Sequence, residues 1–185
     1  MAARTLLEQI QENDALLART GHLFGLEGLH RKETDPGTYE AVWHILSHIC
    51  NAAWSIGCMA STSPVAAEGG DALWGLHTPT GEVICVSRGI TAHAGLLAEM
   101  VRNFIRLGYE EYPGFENGDI FENNDPHYGG IHMPDMDTAM PIFHHGKLVA
   151  WASSVTHVAD AGAVLPGSIN FMNPDCFSDG MPVSV

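Results

Sequence analysis

Met140-Pro141-Ile142-Phe143-His144-His145-Gly146-Lys147-Leu148-Val149-Ala150-Trp151-Ala152 decides the fold. Two apolar runs flank His145-Gly146, and a link that short between strand-forming runs predicts a β-hairpin. A hairpin returns the chain to where it began, so residues just before this one come within reach of residues just after it. The flanks are unlike ordinary connections. Ahead lies Gly118-Asp119-Ile120-Phe121-Glu122-Asn123-Asn124-Asp125-Pro126-His127-Tyr128-Gly129-Gly130-Ile131-His132-Met133-Pro134-Asp135, a short strand at Ile120-Phe121 and then a loop dense in Asn, Asp, His, Gly and Pro. Behind lies Ser153-Ser154-Val155-Thr156-His157-Val158-Ala159-Asp160-Ala161-Gly162.

Together the flanks offer His132, Asp135 and His157 as a two-histidine, one-carboxylate metal set. Neutral imidazole nitrogens and a carboxylate oxygen suit a divalent ion, and three protein ligands leave open positions for water or substrate. The competing reading is loop histidines and turn-forming aspartates. Asp160, three residues after His157, either orients an imidazole or caps a turn ending at Gly162. Asp125 precedes Pro126 and fits an Asx-turn or a catalytic carboxylate; His127 is read as exposed or supporting. His93 precedes a helix among small residues and either caps it or acts as a proton donor at a substrate.

Working outward, Ala72–His77 and Val83–Ser87 read as two strands joined through Thr78-Pro79-Thr80-Gly81, a second hairpin. The run after Ile90 is helical, with Leu96, Leu97, Met100, Val101, Phe104 and Ile105 on a core face and Gly108 at its end. Asp35-Pro36 caps a long helix over about Thr38–Cys58. Val42, Ile45, Leu46, Ile49, Ala53 and Ile56 share one face of it, and Trp43 and Trp54 widen that face, which predicts burial on more than one side. His44 and His48 share a turn but lack the Glu of an H-E-x-x-H frame; His22 and His30 are read as exposed or capping. Residues 1–20 form a docking helix and 21–185 the metal-site domain. The tail carries turns at Pro166-Gly167-Ser168 and Asn173-Pro174, then a strand opening at Met181–Val185, so that the chain is expected to be continued by another chain or a missing segment. The fold class is α+β: hairpins and a mixed sheet packed with long helices.

Eight basic residues against 22 acidic ones, a net charge of −14 in 185 residues, argue against a nucleic-acid partner. So acidic a chain is also a poor lone binder of ATP, which places any nucleotide site on a partner. Cys50, Cys58, Cys85 and Cys176 form no C-x-x-C pair, and free thiols in a reducing compartment are expected. Neither a signal peptide nor a membrane span is visible, so a cytoplasmic location is expected.

Gly118-Asp119-Ile120-Phe121, Asn124-Asp125-Pro126, Gly130-Ile131-His132-Met133-Pro134-Asp135, Thr156-His157-Val158-Ala159-Asp160 and Pro166-Gly167-Ser168 occur in one order. That series, with Glu33-Thr34-Asp35-Pro36 and the stretch from Thr78 to Ile90, resembles the hydantoinase B/oxoprolinase family. Within it, Thr156-His157-Val158 is more similar to the metal-bearing large subunit of ATP-dependent ketone carboxylases than to members with two adjacent histidines there. The resemblance implies that His132, Asp135 and His157 match the family's metal ligands, for zinc, manganese or iron. It also implies a hydantoinase A-like partner that uses ATP and magnesium to phosphorylate ketone and bicarbonate, a much longer subunit of which this chain is the N-terminal portion, and activity only in a hetero-oligomer. The ketone's enolate would then attack carbon dioxide released from carboxyphosphate, giving a 3-oxo acid. An ATP-dependent cyclic amide hydrolase and a non-catalytic assembly subunit are the alternatives.

Overall fold

A computed structural model describes residues 4–165 and 172–183. The elements in order are α1 (Leu6–Thr20), α2 (His30–Thr34), α3 (Pro36–Ala60), α4 (Pro64–Ala67), β1 (Ala72–His77), β2 (Val83–Val86), α5 (His93–Arg106), β3 (Phe121–Asn123), β4 (Asp135–His144) and β5 (Lys147–His157). Single 3-10 turns stand at Leu23–Gly25 and Cys176–Ser178. The strands form one sheet in the order β2-β1-β5-β4-β3. The class is α+β, but the sheet expected to be mixed is antiparallel at every pairing. Both expected hairpins are present, and β5 joins them by pairing along the whole of β1.

The β4–β5 hairpin is much longer than its apolar centre. It turns at His145-Gly146, both at positive φ (49° and 73°), the backbone a tight hairpin needs. The arms then extend until Asp135 pairs with His157. The two residues expected in loops are therefore the first residue of β4 and the last of β5. The polar, β-branched stretch Ser153–Thr156 continues the strand because it is flanked by partners on both sides.

Strand alternation sorts the sheet into layers. Pro141, Trp151 and His77 lie side by side in register, then Ala139, Ser153 and Gly75, then Asp137, Val155 and Leu73, then Asp135 and His157. All face α5, whose Leu97, Met100, Val101, Phe104 and Ile105 are buried against Leu73, Ala139, Trp151 and Val155. Phe104, Tyr109, Phe115, Phe121 and Trp151 form a chain of aromatic contacts at the apolar end. α1 adds Leu6 and Ile10 to this core and starts on a capping box between Thr5 and Glu8.

α3 packs on the opposite face. Gly57 there leaves the room that the Trp74 ring occupies: a Cβ would stand 2.2 Å from it. The Cys50 and Cys85 thiols meet at 3.6 Å in the same contact, and all four cysteines are free. Asp35 caps α3 by accepting from the Thr38 amide, as its sequence predicts. The prediction of burial on several sides does not hold. Val42, Trp43, Ile45, Ile49 and Ile56 are exposed, and only Cys50 and Cys58 are buried. Periodicity marks an apolar face, not what covers it. No helix among the described residues is long and apolar enough to cross a membrane.

The expected turn at Pro166-Gly167-Ser168 lies outside the described residues, as does the end of the expected strand at Met181–Val185. Met181–Val183 is not a strand. It is held by Asn124, whose amide donates to the carbonyls of Met133 and Met181 and whose Oδ1 accepts from the Val183 amide.

Candidate metal centre

One end of the α5-covered face is polar. The neighbouring strands β1, β5 and β4 deliver Asp71, His157 and Asp135 there: Asp71 immediately precedes β1, and its carbonyl accepts from the His157 amide at 3.2 Å. The loop before β4 supplies His132, tied by the Asp135 amide donating to the His132 carbonyl at 2.9 Å. The first residue of α5 supplies His93.

Ligand atoms of His132, Asp135 and His157 lie within 4.8 Å of one another, and so do those of Asp71, His93 and Asp135. His132 Nε2 stands 3.4 Å from Asp135 Oδ2, and His93 Nε2 stands 3.5 Å from Asp71 Oδ1. The rings of His132 and His157 are 5.2 Å apart. Asp135, His157 and His93 are 2%, 1% and 3% exposed.

A buried carboxylate needs compensation, and Asp135 Oδ1 has no hydrogen-bond partner. Burial drives the Asp135 pKa up to about 7, opposed by His132 and reinforced by Asp71 and Asp179. Burial lowers the pKa of His157 and His93, so both imidazoles are neutral at physiological pH. Neutral imidazoles beside an uncompensated carboxyl make a donor set that suits a divalent cation. One layer deeper, burial pushes Asp137 up to about 8, with Asp135 adding to the shift, and its Oδ2 is likewise buried with no hydrogen-bond partner.

The partner that orients His132 is Asp179: Nδ1 donates to Asp179 Oδ2 at 3.1 Å, and Asp179 Oδ1 accepts from Asn173 at 3.2 Å. That bond fixes the tautomer and leaves the Nε2 lone pair for the cluster. Asp160, one candidate for this role, is exposed and caps the turn to Gly162 at 2.8 Å. Asp125 makes an Asx-turn, accepting from the His127 amide at 2.9 Å and its ring at 3.0 Å. Of the three candidate catalytic residues, His93 alone lies in the cluster. His44 and His48 are exposed on α3. Sequence reasoning missed Asp71, Asp137 and Asp179. Strand alternation could have found Asp137; Asp71 and Asp179 are brought in by register and by the returning tail, which no local spacing encodes.

The family model for hydantoinase B/oxoprolinase matches residues 35–185. The chain belongs to the hydantoinase B/oxoprolinase family. Among curated relatives, this hydantoinase B-type chain is 32% identical over 180 residues to the acetone carboxylase alpha subunit of Xanthobacter autotrophicus, covering 97% of the chain and 23% of the relative. It is 32% identical over 112 residues to the acetophenone carboxylase delta subunit of Aromatoleum aromaticum, covering 60% and 16%. It is 28% identical to the 5-oxoprolinase of Dictyostelium discoideum over 74% of the chain and 11% of the relative. The nucleotide-free structure of acetone carboxylase superposes with a TM-score of 0.92 at 32% identity, over 98% of the chain and 24% of its counterpart. The chain thus spans about a quarter or less of the length of these relatives.

Proposed function

We propose that this chain forms the metal-site portion of an ATP-dependent ketone carboxylase that joins a ketone enolate to carbon dioxide from bicarbonate, giving a 3-oxo acid. One observation carries the reading: His132, Asp135 and His157 converge in a chain similar over nearly its whole length to an acetone carboxylase subunit. His132, Asp135 and His157 hold the ion, and Asp179 keeps the His132 ring turned toward it. A divalent cation bound there, zinc, manganese or iron, supplies Lewis-acid stabilisation of negative charge on the ketone-derived oxygen. Val155 and Leu73, buried beneath the cluster, close it to water from the sheet side, and water is what would reprotonate an enolate. His93 borders the same space.

ATP and magnesium belong to a hydantoinase A-like partner in this reading, in keeping with the acidity of the chain. The remainder of a hydantoinase B-type subunit covers the exposed face of α3. The experiment is metal content per chain in the purified assembly, together with ATP turnover on a ketone panel with and without bicarbonate. Turnover needing both, and loss of metal and carboxylation together in His132→Ala, is the expected outcome. Metal and carboxylation that both survive His132→Ala would overturn the assignment.

The likeness to 5-oxoprolinase favours a second reading, an ATP-dependent hydrolase of a cyclic amide at the same centre. Turnover of a lactam or hydantoin independent of bicarbonate would establish it in place of the carboxylase.

A further inference from the structure

We infer that the occupant of the exposed face of α3 is one long helix of the remaining hydantoinase B-type subunit, packed along α3 as in a coiled coil. The inference rests on the reading that such a subunit covers this face, and it names the form of the contact. Val42, Ile45, Ile49, Ala52, Ile56 and Met59 recur at alternating steps of three and four residues. All six are exposed, and from Ile49 to Met59 no other residue of the helix is.

α3 is inverted relative to an ordinary surface helix, whose polar side faces out. Its sheet side is small and polar. Asn51 accepts from the Arg88 amide at 2.9 Å and Ser55 Oγ from the Arg88 guanidinium at 2.9 Å, while Cys50, Gly57 and Cys58 complete the contact. Its outer side is the aliphatic stripe, and its one charged residue, Glu40, lies off that stripe.

The width of the stripe decides the kind of partner. A helix lying on a sheet buries a broad face: α5 buries Leu97, Met100, Val101, Phe104 and Ile105, with adjacent residues side by side. The outer stripe of α3 runs in single file, two residues per heptad, which is the seam of a coiled coil. β-branched Val42, Ile49 and Ile56 recur at one heptad position, and Ile45, Ala52 and Met59 at the other. A seam of that period drifts by about 20° per heptad around a straight helix, and a second helix inclined by about 20° follows it. Toward Tyr39 and Trp43 the seam opens into an apolar hollow, which takes a bulky side chain of the partner helix.

Charge and length select the source of that helix. A second copy of this chain would bring a net charge of −14 against another of −14. An anionic lipid surface attracts Lys and Arg, and α3 has neither. The acetone carboxylase alpha subunit, of which the chain covers 23%, has ample further length for a helix of the required five turns or so.

The test places p-benzoylphenylalanine singly at Ile45, Ile49, Ile56 and Met59 in the whole assembly and maps the photocrosslinks by mass spectrometry. All four positions are exposed, so the probe does not enter the core. The expected result is that all four crosslink to one segment of the hydantoinase B-type subunit, with the Ile49 and Ile56 sites about seven residues apart and the Ile45 and Met59 sites about 14 apart. A strand spanning the same distance, roughly 21 Å, would put the outer pair only about six residues apart. That spacing, or crosslinks scattered over several segments, would overturn the helix and leave the subunit as occupant. Crosslinks to a second copy of this chain, or none at all, would overturn both. The expected crosslinks in an assembly without bicarbonate-dependent turnover of any ketone would sink the carboxylase reading and leave the helix standing.

Discussion

Asp179 and His77 show how single side chains set the chemistry here. Asp179 touches no candidate reactant, yet its bond to Nδ1 decides which nitrogen of His132 is free. Asp179→Ala should weaken divalent-metal binding about 10–100-fold while the fold is kept, measured by competition with a chromophoric chelator; an unchanged affinity would remove Asp179 from the centre. His77 is fully buried, shares a 2.6 Å hydrogen bond with Ser153 Oγ, and has its pKa lowered to about 4 by burial. The unfolded chain protonates near 6.5 and the folded chain near 4, so the native state binds fewer protons between those values. The stability that His77 contributes is therefore complete above pH 6.5 and is lost as pH falls toward 4, by about 3 kcal/mol. Denaturation of the purified chain at pH 7 and pH 4.5 should show a smaller acid loss for His77→Gln than for wild type; equal losses would sink the assignment. His132, Asp135 and His157 were legible as a set because all three flank one hairpin. The roles of Asp71 and Asp179 were not, because each comes from a separate part of the chain.

Elements place these residues, and the close approach of the site loop to α5 is the most exacting placement. Gly129 has φ +126°, and a Cβ there would lie 2.8 Å from the Leu96 carbonyl and 2.8 Å from Met100 Cβ. No side chain fits without moving the loop that carries His132. Gly129→Ala should destabilise the chain by about 1–3 kcal/mol and lower its metal affinity, whereas Gly146→Ala in the distant hairpin turn should leave metal affinity unchanged. Thermal unfolding and metal titration of the two variants check this; equal metal affinity in both would mean that the loop tolerates displacement. The helices and both hairpins could be read from periodicity and turn residues, since those signals are local. The extension of β4 and β5 to Asp135 and His157 could not. Their ends are polar, and they stay in the sheet because β1 and β4 flank β5, a tertiary effect overriding composition.

At the scale of the whole molecule, the faces of the sheet are finished to different degrees. The α5 face has a closed apolar core that grades into the Asp/His cluster. The α3 face is closed only beneath the helix, and Val42, Ile45, Ile49, Ile56 and Met59 stand 48–79% exposed above it. An apolar hollow of about 720 Å³ beside Tyr39, Trp43 and Ile84 continues that surface and shares no residue with the Asp/His cluster. Glu40 is the one charged residue among the 25 of α3, so this is not a face built for water. The acetone carboxylase relative is about four times as long, and in the reading proposed above the rest of a hydantoinase B-type subunit is the occupant. Ile45→Glu with Ile49→Glu tests this. Both side chains are already exposed, so the melting temperature of the chain alone should change little. Co-expressed with the remaining hydantoinase B-type segment, the same variant should lose co-purification, because two carboxylates would be buried without partners. Intact assembly would mean that this face stays open to solvent or binds something else. Assembly lost together with the fold of the isolated chain would mean that the two isoleucines serve the core.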